Sequence, residues 1–313
     1  MAEASNGVRP DSTPFSRTSS TKLVFHSAAH QATYELATIV HSIIPLPNLS
    51  ETDASVFKPS NPPPADAQIF ALVTEATIFH PQGGGQPSDI GQFWVESKPI
   101  FEVLTVRTAI SKPGIVLHFG YFIDSSYAKA RDSSLSVTQK VNSEKRHLFS
   151  RLHTAGHVLG ASVRNLLESK VANFDELKAS HFPDSASCEF QGLIDGKYKA
   201  DIQSAVDELV AKDAEVKIGW WRKDDFRQRG LERLLPNDEV WSQIATTVDE
   251  NGDDVAAGSS DDEQTRIRIV EIVGTEVYPC GGTHVPSTKA CGKVGVKKIS
   301  RAKGQSRVSY FVD

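Results

Sequence analysis

The chain has 313 residues, a formal net charge of -5, 39% hydrophobic and 23% charged residues. That composition excludes an intrinsically disordered chain and predicts a folded one long enough for two domains of ordinary size. No apolar run approaches the roughly 18 residues of a membrane span, and the three cysteines, Cys188, Cys280 and Cys291, are too few and too widely spaced for a disulfide framework.

Residues 1–20, rich in Ser and Thr, lack the apolar stretch of a secretory signal and are expected to form a flexible leader. Glu3 and Asp11 speak against a mitochondrial address, so a cytoplasmic location is expected, with import into mitochondria left open. From residue 21 to about 135 the apolar runs are short: 67–73, 93–95, 100–106 and 115–122. They are rich in Val, Ile and Phe and separated by Gly, Pro and Ser, which predicts strands and a small β-barrel or half-barrel. Residues 45–66 hold Pro45, Pro47, Pro59 and Pro62–Pro64 and read as an inserted loop, because prolines at that density do not sit in a central strand. The stretch Thr77-Ile-Phe-His-Pro-Gln-Gly83-Gly84-Gly85-Gln86 follows. Its triple glycine permits unusual backbone angles and close approach to a ligand. It is neither a Walker loop nor a dinucleotide fingerprint, and by itself it is equally a tight turn between strands.

The second region, 136–313, opens with a helical pattern over 145–170, where Leu148, Leu152, Leu159, Val163, Leu166 and Leu167 recur at spacings near 3.6. His153 and His157 fall at i and i+4 on this helix, so their side chains leave one face one turn apart. Strands are expected at 187–190, 267–273 and 294–299 and a second helix at 202–214, which makes the region α+β with an antiparallel sheet. Residues 247–264, with seven acids and no Lys or Arg, read as an exposed mobile insertion. In Cys280-Gly-Gly-Thr-His284 the glycine turn lets the thiol and the imidazole converge. Either pair alone is readily structural. Two pairs together supply three imidazoles and a thiolate, a set that favours zinc. Such a site either braces a fold or activates water. The zincin scheme needs Glu beside the first His, and Thr154 stands there, which counts against peptide hydrolysis. Beyond this motif Lys297, Lys298, Arg301, Lys303 and Arg307 form a basic stretch that reads equally as a solvated strand face or as a phosphate contact.

Three segments, TIFHPQGGGQPSDIG, RLHTAGHVL and CGGTHV, with the closing KKISRAKGQSRVSY, together resemble the alanyl-tRNA editing proteins (AlaX-like), freestanding relatives of the editing domain of alanyl-tRNA synthetase. The resemblance covers roughly residues 67 to 312 in the same order. It implies a small β domain followed by an α+β editing domain, with zinc held by His153, His157, Cys280 and His284. It also implies hydrolysis by zinc-activated water of mischarged tRNA(Ala), with the seryl ester the leading substrate and the glycyl ester second. No membrane and no nucleotide cofactor are implied, and the oligomeric state is left open. Gly83, Gly84, Gly85 and Gln86 are expected to shape the substrate cleft, Thr283 and Ser180 to offer hydroxyls near it, and the five basic residues to contact acceptor-stem phosphates. The competing reading is a non-catalytic, zinc-stapled RNA- or protein-binding module of the same fold.

Overall fold

The computed structural model describes residues 20–129, 135–250, 252 and 265–313. The expected leader, except for Ser20, and the acidic stretch at 251 and 253–264 lie outside the described residues. The fold is α+β, and the chain divides into two compact units. One holds Tyr34–Pro81 and Ser88–Asn142 with the chain up to Leu23; the other holds Val24–Thr33, Gln82–Pro87 and Ser143–Asp313.

The first unit is a closed antiparallel barrel. Its strands are β1 (Glu35–Pro45), β2 (Ile69–Thr74), β3 (Gly91–Val95), β4 (Lys98–Thr108), β5 (Val116–Phe122) and β6 (Leu135–Val141), in the spatial order β1-β2-β5-β4-β3-β6. Pairing of Glu35 with Lys140 through Val40 with Leu135 closes the ring, so no edge is left open. Ile44, Val73, Leu117 and Phe119 lie in one packed cluster, and Phe93 meets Phe79 and Phe101 in tilted contacts, each at 5.8 Å. Among these apolar groups sits one polar knot. His118 is fully buried, with Nδ1 on the Leu72 carbonyl at 3.0 Å and Nε2 on Thr77 Oγ1 at 2.8 Å. The four expected strands appear as β2 to β5. The proline-rich segment 45–66, expected as a loop, instead contains a short helix, α1 (Glu51–Ser55). The Ser50 side chain accepts the Asp53 amide at its start, and buried Asp53 in turn accepts the amides of Ile110 and Ser111.

The second unit is built on α2 (Ser143–Leu167), whose 25 residues give a rod about 37 Å long. The remaining elements are β7 (Asp175–Ser180), β8 (Ser187–Gln191), α3 (Lys199–Ala211), β9 (Val216–Trp221), α4 (Lys223–Gln228), α5 (Asp238–Ile244), β10 (Thr265–Ile272), β11 (Glu276–Pro279), β12 (Val294–Ala302) and β13 (Gln305–Val312). One antiparallel sheet runs β12-β13-β8-β7, and a second joins β9, β10, the short Thr246–Thr247 strand and β11. Leu152, Ala155, Leu159 and Val163 of α2 pack with Ile202 and Val206 of α3 and with Phe190, Val308 and Tyr310 of the first sheet. The helix is buried well beyond a single stripe: Arg146, His153, Thr154, Ser162 and Arg164 are buried too. Buried polar side chains need partners. Arg164 meets this demand with Glu168, Glu176 and Glu276, which tie α2 to β7 and β11. No helix among the described residues is long and apolar enough to cross a membrane.

Candidate metal centre

Two local structures bring the ligand set together. The helical periodicity of α2 puts His153 and His157 one turn apart, with ring centroids 5.0 Å from each other. The turn after β11 returns His284 toward Cys280. Only glycine fits at position 282, where a Cβ would stand 2.2 Å from His153 Cε1. Cys280 Sγ then lies 3.4 Å from His153 Nε2 and 3.3 Å from His284 Nε2. One ligand atom from each of His153, His157, Cys280 and His284 falls within 4.8 Å of all the others. That spacing suits four donors around one ion.

The outer atoms of the ligands fit a metal as well. Gln86 Oε1 accepts the Thr283 amide at 3.0 Å, so it is an acceptor toward His153 Nδ1, 2.7 Å away. His153 therefore carries its proton on Nδ1 and presents a bare Nε2 to the cluster. Gln86 Nε2 donates to Thr283 Oγ1 at 2.9 Å, and Thr283 Oγ1 shares a 2.7 Å hydrogen bond with Ser150 Oγ. His284 Nδ1 pairs with Thr154 Oγ1 at 3.1 Å, and its Nε2 faces the Cys280 thiol at 3.3 Å. Such outer contacts orient ligating histidines. His157 Nε2 is buried with no hydrogen-bond partner among the described residues, while its ring stacks on Tyr278 at 4.2 Å. An orphaned imidazole nitrogen beside two bare ones and a thiol is what a cation would satisfy.

The electrostatics agree. Burial, then the neighbouring His181 and Arg268, push His157 down to about 3, so it is a neutral ligand at any physiological pH. Burial raises the Cys280 thiol, opposed by the Arg268 guanidinium and the Gly282 amide. Arg268 is itself buried, donating through Nε to the His26 carbonyl at 3.0 Å and through Nη1 to the Cys280 carbonyl.

The glycine loop belongs to this unit. Gly83 and Gln86 exchange backbone hydrogen bonds, and Gly84 and Gly85 take φ of 55° and 79°. A Cβ on Gly85 would stand 2.3 Å from the Ala179 carbonyl, and the Gly85 carbonyl accepts the His181 amide at 2.8 Å. The loop thus packs against the end of β7 and delivers Gln86 to His153. Ser180 ends β7, half-buried, beside that contact. Thr283 is fully buried, and its hydroxyl is engaged by Gln86 and Ser150. Lys297, Lys298, Arg301, Lys303 and Arg307 are all exposed on the β12–β13 hairpin. A bulge between Val296 and Lys298 turns both consecutive lysines outward.

Sequence reasoning missed His181, Arg268 and Tyr278 around the site. None lies at a metal-like spacing; the only local signal is their nearness to motifs, Tyr278 two residues before Cys280 and His181 next to Ser180.

Residues 267–309 match the family model for the threonyl and alanyl tRNA synthetase second additional domain. An alanyl-tRNA editing protein, AlaX-L, from Pyrococcus horikoshii is 28% identical over 271 residues, covering 85% of this chain and 55% of that protein. An alanine–tRNA ligase from Methanosphaera stadtmanae is 28% identical over 259 residues, covering 77% of this chain and 24% of the ligase. A second ligase, from Methanobrevibacter smithii, is 24% identical over 278 residues, covering 83% of this chain and 27% of its own. The chain thus spans about half of the editing protein and about a quarter of the two ligases.

Proposed function

We propose, on the premise that this chain is an AlaX-like homologue of alanyl-tRNA editing proteins and of alanyl-tRNA synthetase, that it hydrolyses tRNA(Ala) mischarged with a small amino acid. The seryl ester is the leading substrate and the glycyl ester the second. One observation carries this reading: His153, His157, Cys280 and His284 converge with the outer nitrogens of His153 and His284 already engaged. Those four residues would hold a zinc ion, which would supply Lewis acidity toward an ester carbonyl and a lowered pKa for water.

The chain's own residues do the rest. Gln86 holds His153 in the tautomer that aims Nε2 inward, and Thr154 engages the outer nitrogen of His284. The Gly83–Gln86 loop, without side chains at three of its four positions, lets substrate backbone approach closely. An aminoacyl ester is already activated, so positioning suffices and no serine or cysteine nucleophile is required. Serine exceeds alanine by one hydroxyl, which an apolar synthetic pocket rejects poorly; a separate hydrolytic site corrects that error. The basic β12–β13 hairpin supports the docking of acceptor-stem phosphates.

The reading is tested by deacylation of Ser-tRNA(Ala), Gly-tRNA(Ala) and Ala-tRNA(Ala) with metal-loaded protein. Seryl and glycyl esters are expected to be cleaved and the alanyl ester spared. His157→Ala and Cys280→Ala are expected to lose both bound zinc and turnover. Zinc-loaded wild-type protein that leaves every ester intact would establish the non-catalytic, zinc-stapled module instead.

A further inference from the structure

We propose that His181 reads the side-chain hydroxyl of the seryl group, acting through Nε2 as a hydrogen-bond acceptor. This rests on the hydrolytic reading given above and names the residue that sets its selectivity. His181 is 2% exposed and stacks on His153, with ring centroids 4.1 Å apart and planes 23° apart. It is thus one ring thickness from the ligand cluster, a stand-off comparable with that between a serine hydroxyl and its own ester carbonyl.

The hydrogen bonds fix which face of the ring is chemically available. Tyr310 donates its only hydroxyl proton to the Leu152 carbonyl at 2.9 Å. The same oxygen lies 2.7 Å from His181 Nδ1, so Nδ1–H must donate to it. Nε2 is left as a bare acceptor. The Cε1–Nδ1 edge packs on Gly156, where a Cβ would come within 2.4 Å of Cε1, and Cδ2 faces Gly85. Nε2 is therefore the ring atom without a hydrogen-bond partner among the described residues. Two other candidates for a hydroxyl reader, Thr283 and Thr154, are already engaged, which leaves Ser180, half-buried at the end of β7, as the alternative. Thr283 Oγ1 serves Gln86 and Ser150, and Thr154 Oγ1 serves His284 and the Val285 amide.

An acceptor locked in one tautomer in a buried wall discriminates strongly, because a substrate without the hydroxyl leaves it unpaired. Serine satisfies it. Alanine and glycine do not, so His181 accounts for the rank of the seryl ester above the other two and not for cleavage of the glycyl ester.

The test measures binding of non-hydrolysable 3′-seryl-, 3′-glycyl- and 3′-alanyl-amido-3′-deoxyadenosine by calorimetry. It also measures single-turnover deacylation of the three tRNA esters and zinc content. Wild-type protein is expected to prefer the seryl over the alanyl analogue by at least about tenfold. His181→Leu is expected to bring that ratio to within about twofold, with bound zinc and alanyl-analogue affinity unchanged. His181→Asn, which keeps an acceptor, is expected to restore part of it. Tyr310→Phe, which removes the group that fixes the tautomer, is expected to reduce the preference without changing zinc content; it decides the matter should His181→Leu not fold. A seryl preference that survives both His181→Leu and Tyr310→Phe overturns the assignment, as does an equal loss for all three analogues. Wild-type protein that cleaves no ester removes the hydrolytic reading and this inference with it. Cleavage whose selectivity ignores His181 removes this inference alone.

Discussion

Gln86 shows how one side chain can order a candidate metal centre from outside its ligand set. Its carbonyl oxygen accepts from both His153 Nδ1 and the Thr283 amide, and its nitrogen donates to Thr283. Gln86→Leu keeps the volume and removes both functions. Metal affinity is expected to fall by about 10- to 100-fold, while the fold persists. Gln86→Glu keeps the two acceptor contacts and is expected to hold affinity close to wild type. Competition with a chromogenic chelator reads both; equal loss in the two variants would mean that the oxygen is not what orients His153. The ligands themselves were legible in the sequence because i, i+4 spacing and a glycine turn are local patterns. Their supporting contacts were not. Gln86 is far in sequence from His153 and Thr283, and His181 from Tyr310, so only the folded chain reveals these pairs.

At the level of elements, the barrel carries a pH-sensitive residue of its own. Burial lowers His118 to about 4, against an ordinary 6.5. The folded state keeps it neutral while the unfolded chain binds a proton below 6.5. Its stabilising contribution is therefore intact above pH 6.5 and is lost as pH falls from 6.5 to 4, by roughly 3 kcal/mol in all. His118→Gln is expected to be less stable at pH 7, because the Leu72 carbonyl and Thr77 lose a well-fitted partner, yet to lose about 3 kcal/mol less on going to pH 4. Urea unfolding of metal-free wild type and variant at several pH values measures the difference, since His157 and His181 titrate in both proteins; parallel curves would refute the assignment. The barrel also marks where strand patterns fail. β2 to β5 are legible as compact apolar runs. β1 is not, because the bulge between Val40 and Ser42 shifts its alternation midway, and β6 is not, because Gln139 and Lys140 interrupt a strand of only seven residues. In the second unit β7 reads as polar because it is exposed or only half-buried along its whole length. The proline-rich segment misled for a different reason: proline density marks where strands end, but Ser50 followed by Glu51 and Asp53 is a helix start.

For the whole molecule, the mean charge is a poor guide to a nucleic-acid partner. A chain at -5 should repel RNA, but at physiological ionic strength a phosphate senses charges within about 8 Å. On the proposed reading, what matters is the local charge of the β12–β13 hairpin. Its two-residue turn, Lys303-Gly304, has φ of 51° and 78°, the left-handed pair that matches the twist of two adjoining strands. The five cations there are not equivalent. Arg307 donates to Ser187 Oγ and the Ser185 carbonyl, Arg301 sits 3.9 Å from Asp195, and Lys297 lies over the Phe311 ring. Lys298 and Lys303 are exposed, with no hydrogen bond or ion pair among the described residues. A phosphate can recruit these two without breaking an existing contact, so they should carry most of the counterion release. Lys298→Ala with Lys303→Ala is expected to weaken tRNA binding at low salt and to reduce the slope of log K against log salt by about 2, one for each phosphate contact removed. Arg307→Ala is expected to change the slope less and stability more, because its guanidinium bridges β13 to the start of β8. Filter binding across a salt series, with thermal unfolding of each variant, separates the two effects. An unchanged slope in the double variant would move the RNA surface elsewhere on the chain.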